Sequence, residues 1–325
     1  MSTAPTYELG VVIGKFLPPH KGHCYLIETA LSRCERVVVI VCGKPTDLIP
    51  ANVRVDWLRE ITPAAEIMLI DDRYDANDSR VWAENTIRWL GRAPNAVFTS
   101  ESYGDAYAGH LGCVHESVDP ARLQIPCSGT AVRNDPFALW DFIDPPVRAW
   151  YAKRIVVLGA ESTGTTTLAQ DLASALHTQL VTEYGREYSE EKVTSNKKEW
   201  SSDEFLTIAR EQIRRENEAA RLANRILICD TNAFATRIWH RRYMGFYLPE
   251  LDSLASTCRA DLYLLTGDEI PFVQDGSRDG ELIRHEMHGW FDSELAQTGV
   301  IWHELRGSRS TRLHEALEMI RRFVQ

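Results

Sequence analysis

The sequence has no pair of cysteines at CxxC spacing. Its seven cysteines, at positions 24, 34, 42, 113, 127, 229 and 258, are odd in number and have no histidine cluster beside them. That pattern excludes a disulfide framework and argues against a zinc site; free thiols in a reducing compartment fit it best. Long apolar runs are also missing. The longest, such as Val37 to Cys42, are strand-length, so nothing here is expected to span a membrane. The first ten residues lack the basic and apolar blocks of a signal peptide, which points to a soluble, cytoplasmic chain. Basic excess is lacking too. Residues 1–150 carry 14 Lys/Arg against 19 Asp/Glu, and residues 151–325 carry 22 against 27. Neither half has the field that draws nucleic acid through its phosphates, so any phosphate binding must rest on a few placed groups.

What is present is the ordinary mixture of a globular protein: 325 residues, 44% apolar and 25% charged, long enough for two domains. Short β-branched runs alternate with amphipathic stretches, the pattern of βα units and parallel sheets. In the first half strands are expected at Leu9–Gly14, Arg36–Cys42, Ile67–Ile70 and Ala96–Thr99. The intervening helices are expected at Gly22–Arg33, Asn52–Ile61, Arg80–Leu90 and Ser102–Gly109. After the breaker Asp144-Pro145-Pro146 a second series opens at Arg154–Gly159 and continues at Leu180–Thr182, Arg225–Asp230, Asp261–Leu265 and Val300–Leu305. A long helix begins with the capping-box pair Ser201 and Glu204; Phe205, Ile208, Ala209, Gln212, Ala219 and Leu222 fall on its helical period. The expected organisation is two tandem α/β parallel-sheet domains, 1–150 and 151–325, with the boundary near 147–153. Each has its ligand site just after its first strand.

The first such site is Gly14-Lys15-Phe16-Leu17-Pro18-Pro19-His20-Lys21-Gly22-His23, running into a helix. Gly22 allows close backbone approach, and a helix N-terminus favours anions. Two histidines and a lysine there oppose the macrodipole unless an anion is bound. The run resembles the GxFxPxHxGH signature of the nucleotidyltransferase superfamily, which has a Rossmann-like fold. A second superfamily motif, SxTxxR, is present as Ser128-Gly129-Thr130-Ala131-Val132-Arg133. The resemblance implies attack of a substrate phosphate on the α-phosphorus of ATP with release of pyrophosphate. It implies that His20, His23 and Arg133 act on the phosphates. Gly14, Lys15, Phe16, Gly22, Ser128 and Thr130 would complete the ATP site, with Mg²⁺ accompanying the nucleotide. Arg54 and Trp57 lie in a segment similar to one in the nicotinamide-nucleotide branch, where they would bind substrate. Their plainer reading is a surface arginine and a core tryptophan.

The second site, Gly159-Ala160-Glu161-Ser162-Thr163-Gly164-Thr165-Thr166, fits the P-loop frame GxxxxGK[ST] except that Thr165 stands where the lysine belongs. Gly159, Ser162, Gly164, Thr165 and Thr166 can still form a phosphate nest, and Thr166 can offer its hydroxyl to Mg²⁺. The apolar strand ending in Asp230 reads as a Walker B element and second metal ligand. Glu183 and Arg186, just past a strand, and Arg278 in a polar loop are candidates for the acceptor site. Lys153, Arg237 and Arg278 are candidates for the missing lysine charge. The HEMH run, His285 to His288, has no third ligand and reads as an ordinary helix segment.

In this order the parts are similar to the bifunctional nicotinamide-mononucleotide adenylyltransferase / ribosylnicotinamide kinase family (the NadR family). SGTAVRNDPFALWDFIDPPVRAWYAKRIVVLGAESTG is the most telling segment. The resemblance implies binding of ATP, nicotinamide mononucleotide, nicotinamide riboside and NAD. Some members carry an N-terminal helix-turn-helix. Only about nine residues precede the first strand here, so DNA binding is not expected. A homo-oligomer is compatible with this reading. Two alternatives stay open: a C-terminal domain that senses nucleotide without turnover, and an adenylyltransferase for another phosphorylated acceptor.

Overall fold

A computed structural model describes residues 5–194, 199–273 and 281–323. The chain divides into two compact units, Met1–Val147 and Arg148–Gln325. In the first unit β1 (Tyr7–Gly14), β2 (Cys34–Gly43), β3 (Glu66–Asp71), β4 (Ala96–Thr99) and β5 (Val114–Ser117) form one parallel sheet. Its order is β3-β2-β1-β4-β5, and the pairing β1–β2 runs from Tyr7↔Cys34 to Gly14↔Val41. Both faces are covered. Val12, Val39, Val41 and Phe98 pack with Ile27 and Leu58 on one side; Leu9, Val11, Val38 and Ile40 pack toward Trp82 and Trp89 on the other. Strands buried on two faces read as unbroken Val/Ile runs rather than alternation, as β1 and β2 do. Each such side chain contributes about 1.5–3 kcal/mol of burial. The unexpected strand is β5. It is short, half-exposed and polar (VHES), an edge strand without an apolar signature.

The second unit repeats the plan with β6 (Lys153–Leu158), β7 (Leu180–Val181), β8 (Ile226–Asp230), β9 (Leu262–Thr266) and β10 (Trp302–Leu305), all parallel, in the order β10-β9-β6-β8-β7. Its core joins Ile155, Val157, Ile226, Ile228, Leu262 and Leu264 to Leu168 and Leu172. The helix Ser202–Ala220 carries the expected capping box, with Glu204 accepting from the Ser201 amide at 2.8 Å. It ends before Leu222, which is exposed rather than on the buried stripe. Both sheets place their first strand at the centre, and the loops leaving β1 and β6 therefore open at a crossover point of the topology. Among the described residues no helix is long and apolar enough to cross a membrane. All seven cysteines are free thiols.

Candidate functional site

In the first unit, β1 ends at Gly14 and the chain turns through Phe16, which takes φ 48° and is buried. His20 is the N-cap of the helix Lys21–Arg33, its Nδ1 accepting the Gly22 amide at 3.1 Å. The ring proton of neutral His20 therefore sits on Nε2. A Cβ on Gly22 would lie 2.9 Å from the His20 ring, so this cap requires glycine. The rings of His20 and His23 stack with centroids 3.8 Å apart, and Phe16 lies 4.9 Å from His23. Burial, helped by the charge of Arg122, pushes His20 down to about 4; burial pushes His23 well below its ordinary value. This corrects the expected electrostatic conflict at the helix start. Both imidazoles are neutral, and one of them is itself the cap. The buried Nδ1 of His23 has no hydrogen-bond partner.

The second motif is pressed against the first. Ser128 caps the helix Gly129–Asn134, accepting from the Ala131 amide at 3.1 Å. Arg133 donates through Nη2 to Thr130 Oγ1 at 3.0 Å and through Nη1 to the Leu17 carbonyl. A Cβ on Gly129 would sit 2.8 Å from that same carbonyl oxygen. Gly14, Lys15, Phe16, His20, Gly22, His23, Ser128, Thr130 and Arg133 all line one cavity of about 830 Å³. Lys15 reaches its mouth and faces the buried carboxylate of Asp72 at 3.7 Å. Sequence reasoning missed Arg122, which lines the same cavity and pairs with Glu101 at 2.9 Å. It sits at φ 51° in a loop tied down by the Asp119 carboxylate, which accepts the amides of Leu123, Gln124 and Ile125.

Arg54 and Trp57 do not line this cavity. Arg54 is not a surface residue either: it is fully buried. Its guanidinium is consumed by the carbonyls of Ile49, Lys15 and Cys42 and by Asp47 at 2.5 Å, leaving nothing for a substrate. It braces the loop after β1 from behind. Trp57 is a buried core residue of the same helix.

In the second unit β6 runs into the loop Gly159–Gly164 and then the helix Thr165–Ala175. Ser162 (φ 60°) and Gly164 (φ 87°) give the loop its concave turn. A Cβ on Gly159 would be 2.3 Å from Thr266 Oγ1, which also bonds Thr163 Oγ1 at 2.7 Å. Asp230, at the end of β8, is paired beside Val157 of β6 and hydrogen-bonds the Thr166 side chain. It is 2% exposed, and its Oδ1 has no hydrogen-bond partner. Burial raises the Asp230 carboxyl, opposed by Thr166 and Arg186; burial and the charge of Asp230 raise Glu183. Two carboxyls facing each other in this way make a place for a cation.

Gly159, Ser162, Gly164, Thr165, Thr166, Glu183, Arg186 and Asp230 line one cavity of about 340 Å³. Its far wall is aromatic: Trp200, Phe205, Trp239 and Tyr243, of which the sequence marked only Phe205, and that as a helix position rather than a site residue. Trp200 lies 5.0 Å from Phe205 and 5.4 Å from Tyr243, centroid to centroid. Two candidates for the lysine charge fail. Lys153 opens β6 at the end opposite the loop and is paired with Asp261 at 2.9 Å. Arg237 is tied to Asp252 and Glu294 and lies outside the cavity lining. Arg278 lies outside the described residues. His285 pairs with Asp268 at 2.5 Å and His288 with Glu304 at 2.8 Å. Among the described residues no group of three His, Cys, Asp or Glu is placed to hold a metal.

Comparison with known proteins follows this division. Residues 11–135 match the cytidylyltransferase-like family and residues 154–312 an AAA domain family. The chain is 28% identical over 297 residues to the trifunctional NAD biosynthesis/regulator protein NadR of Escherichia coli (strain K12), covering 83% of this chain and 71% of that protein. Against the protein of the same name from Salmonella typhimurium (strain LT2) the identity is 28% and the coverage 83% and 72%. In fold, the chain is similar to a crystal structure of NadR protein in complex with NR (TM-score 0.82, 22% identity, 99% of this chain and 97% of that one). It is also similar to one of NadR protein in complex with NAD and AMP-PNP (TM-score 0.79, 23% identity, 98% and 96%). A cytidylyltransferase-like domain followed by an AAA-type P-loop domain, in one polypeptide similar to NadR over most of its length, makes this chain NadR-like in its domain order and fold.

Proposed function

We propose that this chain makes NAD from nicotinamide riboside in two ATP-dependent steps, the second unit acting as ribosylnicotinamide kinase and the first as nicotinamide-mononucleotide adenylyltransferase. The observation that carries the reading is that each set of motif residues converges on one cavity at the carboxyl end of a parallel sheet, with complementary donor chemistry.

In the first step the 5′-hydroxyl oxygen of the riboside attacks the γ-phosphorus of ATP. A new P–O bond forms, the β–γ bridge breaks, and ADP leaves. Glu183, with its raised basicity, takes the hydroxyl proton. The nicotinamide ring of the riboside is a planar cation. Aromatic faces and a surplus of carboxylates (Glu161, Glu183 and Asp230) suit such a ring better than a neutral base. Thr166 and Asp230, whose Oδ1 lacks a partner, fit Mg²⁺ and would hold it; when bound, the ion neutralises phosphate charge.

In the second step a phosphate oxygen of the mononucleotide attacks the α-phosphorus of ATP. The Pα–O bond to the β-phosphate breaks and pyrophosphate leaves. No protein nucleophile is needed, and the catalytic effect is positioning and charge stabilisation. The Nε2–H of His20 donates to the phosphates, His23 packs against it, and Arg133 and Lys15 bring positive charge, with Ser128, Thr130 and Gly22 shaping the cradle. Free thiols and a role in NAD salvage support a cytoplasmic location.

The test is a two-substrate assay on the purified chain with Mg²⁺-ATP. Riboside should give mononucleotide and then NAD; mononucleotide should give NAD directly. Activity on phosphopantetheine in place of mononucleotide would reject the acceptor assignment. Thr165 favours one rival, a second unit that binds nucleotide without turnover. Calorimetric ATP binding with zero phosphoryl transfer would select it.

A further inference from the structure

The P-loop of the second unit lacks the ammonium group that ordinarily meets the β- and γ-phosphates, because residue 165 is threonine. Backbone amides cannot make up a full unit of charge. The surroundings make the deficit worse: Glu161, Glu183 and Asp230 all line the cavity that must receive the triphosphate.

Four other cations, Arg312, Arg242, Lys192 and Arg215, do not line this cavity. Arg312 approaches the loop from behind, with Nη1 on the Thr163 carbonyl at 2.7 Å and Nη2 on the Gly267 carbonyl and Glu269. It supports the loop and does not face the ligand. Arg242 is buried against Glu161 at 3.5 Å. Lys192 is held by Glu204 and by the Glu199 carbonyl. Arg215 is bound to Glu187 and Glu211.

One cationic side chain lines the cavity among the described residues, and it is Arg186. It stands one turn beyond Glu183 in the helix Tyr184–Thr194, across from the Thr166–Asp230 pair. Its charge is felt by both Asp230 and Glu183, lowering each. Its ion pair with Glu190, at 3.2 Å, lies within one helix with 44% and 59% of the side chains exposed, the kind of contact that a phosphate readily displaces. A guanidinium also matches two phosphate oxygens at once, which an ammonium does not.

We infer that Arg186 supplies the transferring phosphoryl group with the positive charge that Thr165 cannot, so that the kinase centre keeps its charge balance with the cation moved from the loop to the neighbouring helix. This rests on the kinase reading of the second unit. During transfer the guanidinium contacts γ-phosphoryl oxygens as the β–γ bridge breaks, and it exchanges no proton.

The experiment compares wild type, Arg186→Ala, Arg186→Lys and the double variant Arg186→Ala/Thr165→Lys in the full chain. The readouts are riboside phosphorylation (kcat, and KM for each substrate) and thermal melting. Expected are a loss of kcat of about a hundredfold or more in Arg186→Ala, a smaller loss in Arg186→Lys, and recovery of at least about tenfold when lysine is placed at 165. Melting temperatures should stay within a few degrees, about the shift of a surface substitution. An Arg186→Ala protein that keeps its kcat overturns the assignment. So does a loss confined to the riboside KM, or one that Thr165→Lys does not relieve in a protein that melts normally; these mark Arg186 as an acceptor-site residue. A wild-type chain that binds ATP but phosphorylates no riboside overturns the kinase reading itself.

Discussion

His20 and His23 stack with ring centroids 3.8 Å apart at the start of one helix, and His20 accepts a backbone amide there. The first prediction separates the capping role from the donor role. His20→Ala removes both, and should lower the rate of NAD formation by about 10²–10³-fold while also lowering the melting temperature. His20→Asn restores an N-cap acceptor but not the Nε2–H, so it should recover melting and leave the rate low. Equal recovery of both would show that His20 only holds the helix.

The same pair makes folding pH-dependent. The folded pKa of His20 lies near 4, below its ordinary 6.5, so the unfolded chain binds more protons between these values. Stability is intact above the ordinary value and falls as pH drops toward the folded one, by on the order of 3 kcal/mol for His20 alone. His23 acts in the same direction. Urea melts at about pH 7.5 and about pH 5 should show the loss, and saturating ATP should oppose it because an anion favours the charged rings. A His20→Asn protein with an unchanged pH slope would contradict the neutral pair.

Gly129→Ala places a Cβ 2.8 Å from the Leu17 carbonyl that also receives Arg133. The chain must open there, at about 1–3 kcal/mol. The melting temperature should fall, and the KM for ATP in NAD formation should rise at temperatures where the protein remains folded.

Arg54→Ala should behave as a structural lesion. Asp47 and three carbonyls lose a buried partner, a cost of about 3–5 kcal/mol. The folded fraction should keep its KM for mononucleotide, and Arg54→Lys should regain part of the stability. A raised KM with normal melting would return Arg54 to the substrate site.

Glu183→Gln should cut riboside phosphorylation by about 10²–10⁴-fold with little change in riboside KM. Burial holds the Glu183 carboxyl above its ordinary range, so the wild-type kcat should climb with pH through that raised value as the carboxyl loses its proton. NAD formation from mononucleotide, measured in parallel, should not follow this profile.

Legibility in the sequence tracked the physics of each element. Buried parallel strands such as β1, β2 and β8 announce themselves as Val/Ile runs; the loop after β1 is spelled out in glycine, proline and histidine at fixed spacing, and the loop after β6 in glycines and hydroxyls. The polar edge strand β5 has no such pattern. Arg122 was hidden because its position depends on a loop fold, with Asp119 gathering three amides, that no spacing rule encodes. Trp200 comes from one segment and Trp239 and Tyr243 from the helix Ala233–Met244; they meet only in the folded unit, where a core aromatic and a wall aromatic look alike in sequence. Arg54 misled in the opposite direction: an arginine on an amphipathic helix is usually solvated, and this one is the brace beneath a loop.

β1 and β6 are each flanked on both sides, β1 by β2 and β4, β6 by β8 and β9. Amides in such strands exchange with solvent only through opening of the whole unit, whereas edge strands such as β7 fray on their own. Each phosphate loop thus grows directly out of the slowest-exchanging segment of its unit. A nucleotide arriving there does not have to order the peptide that receives it, and little of its binding energy is diverted into freezing a loose loop.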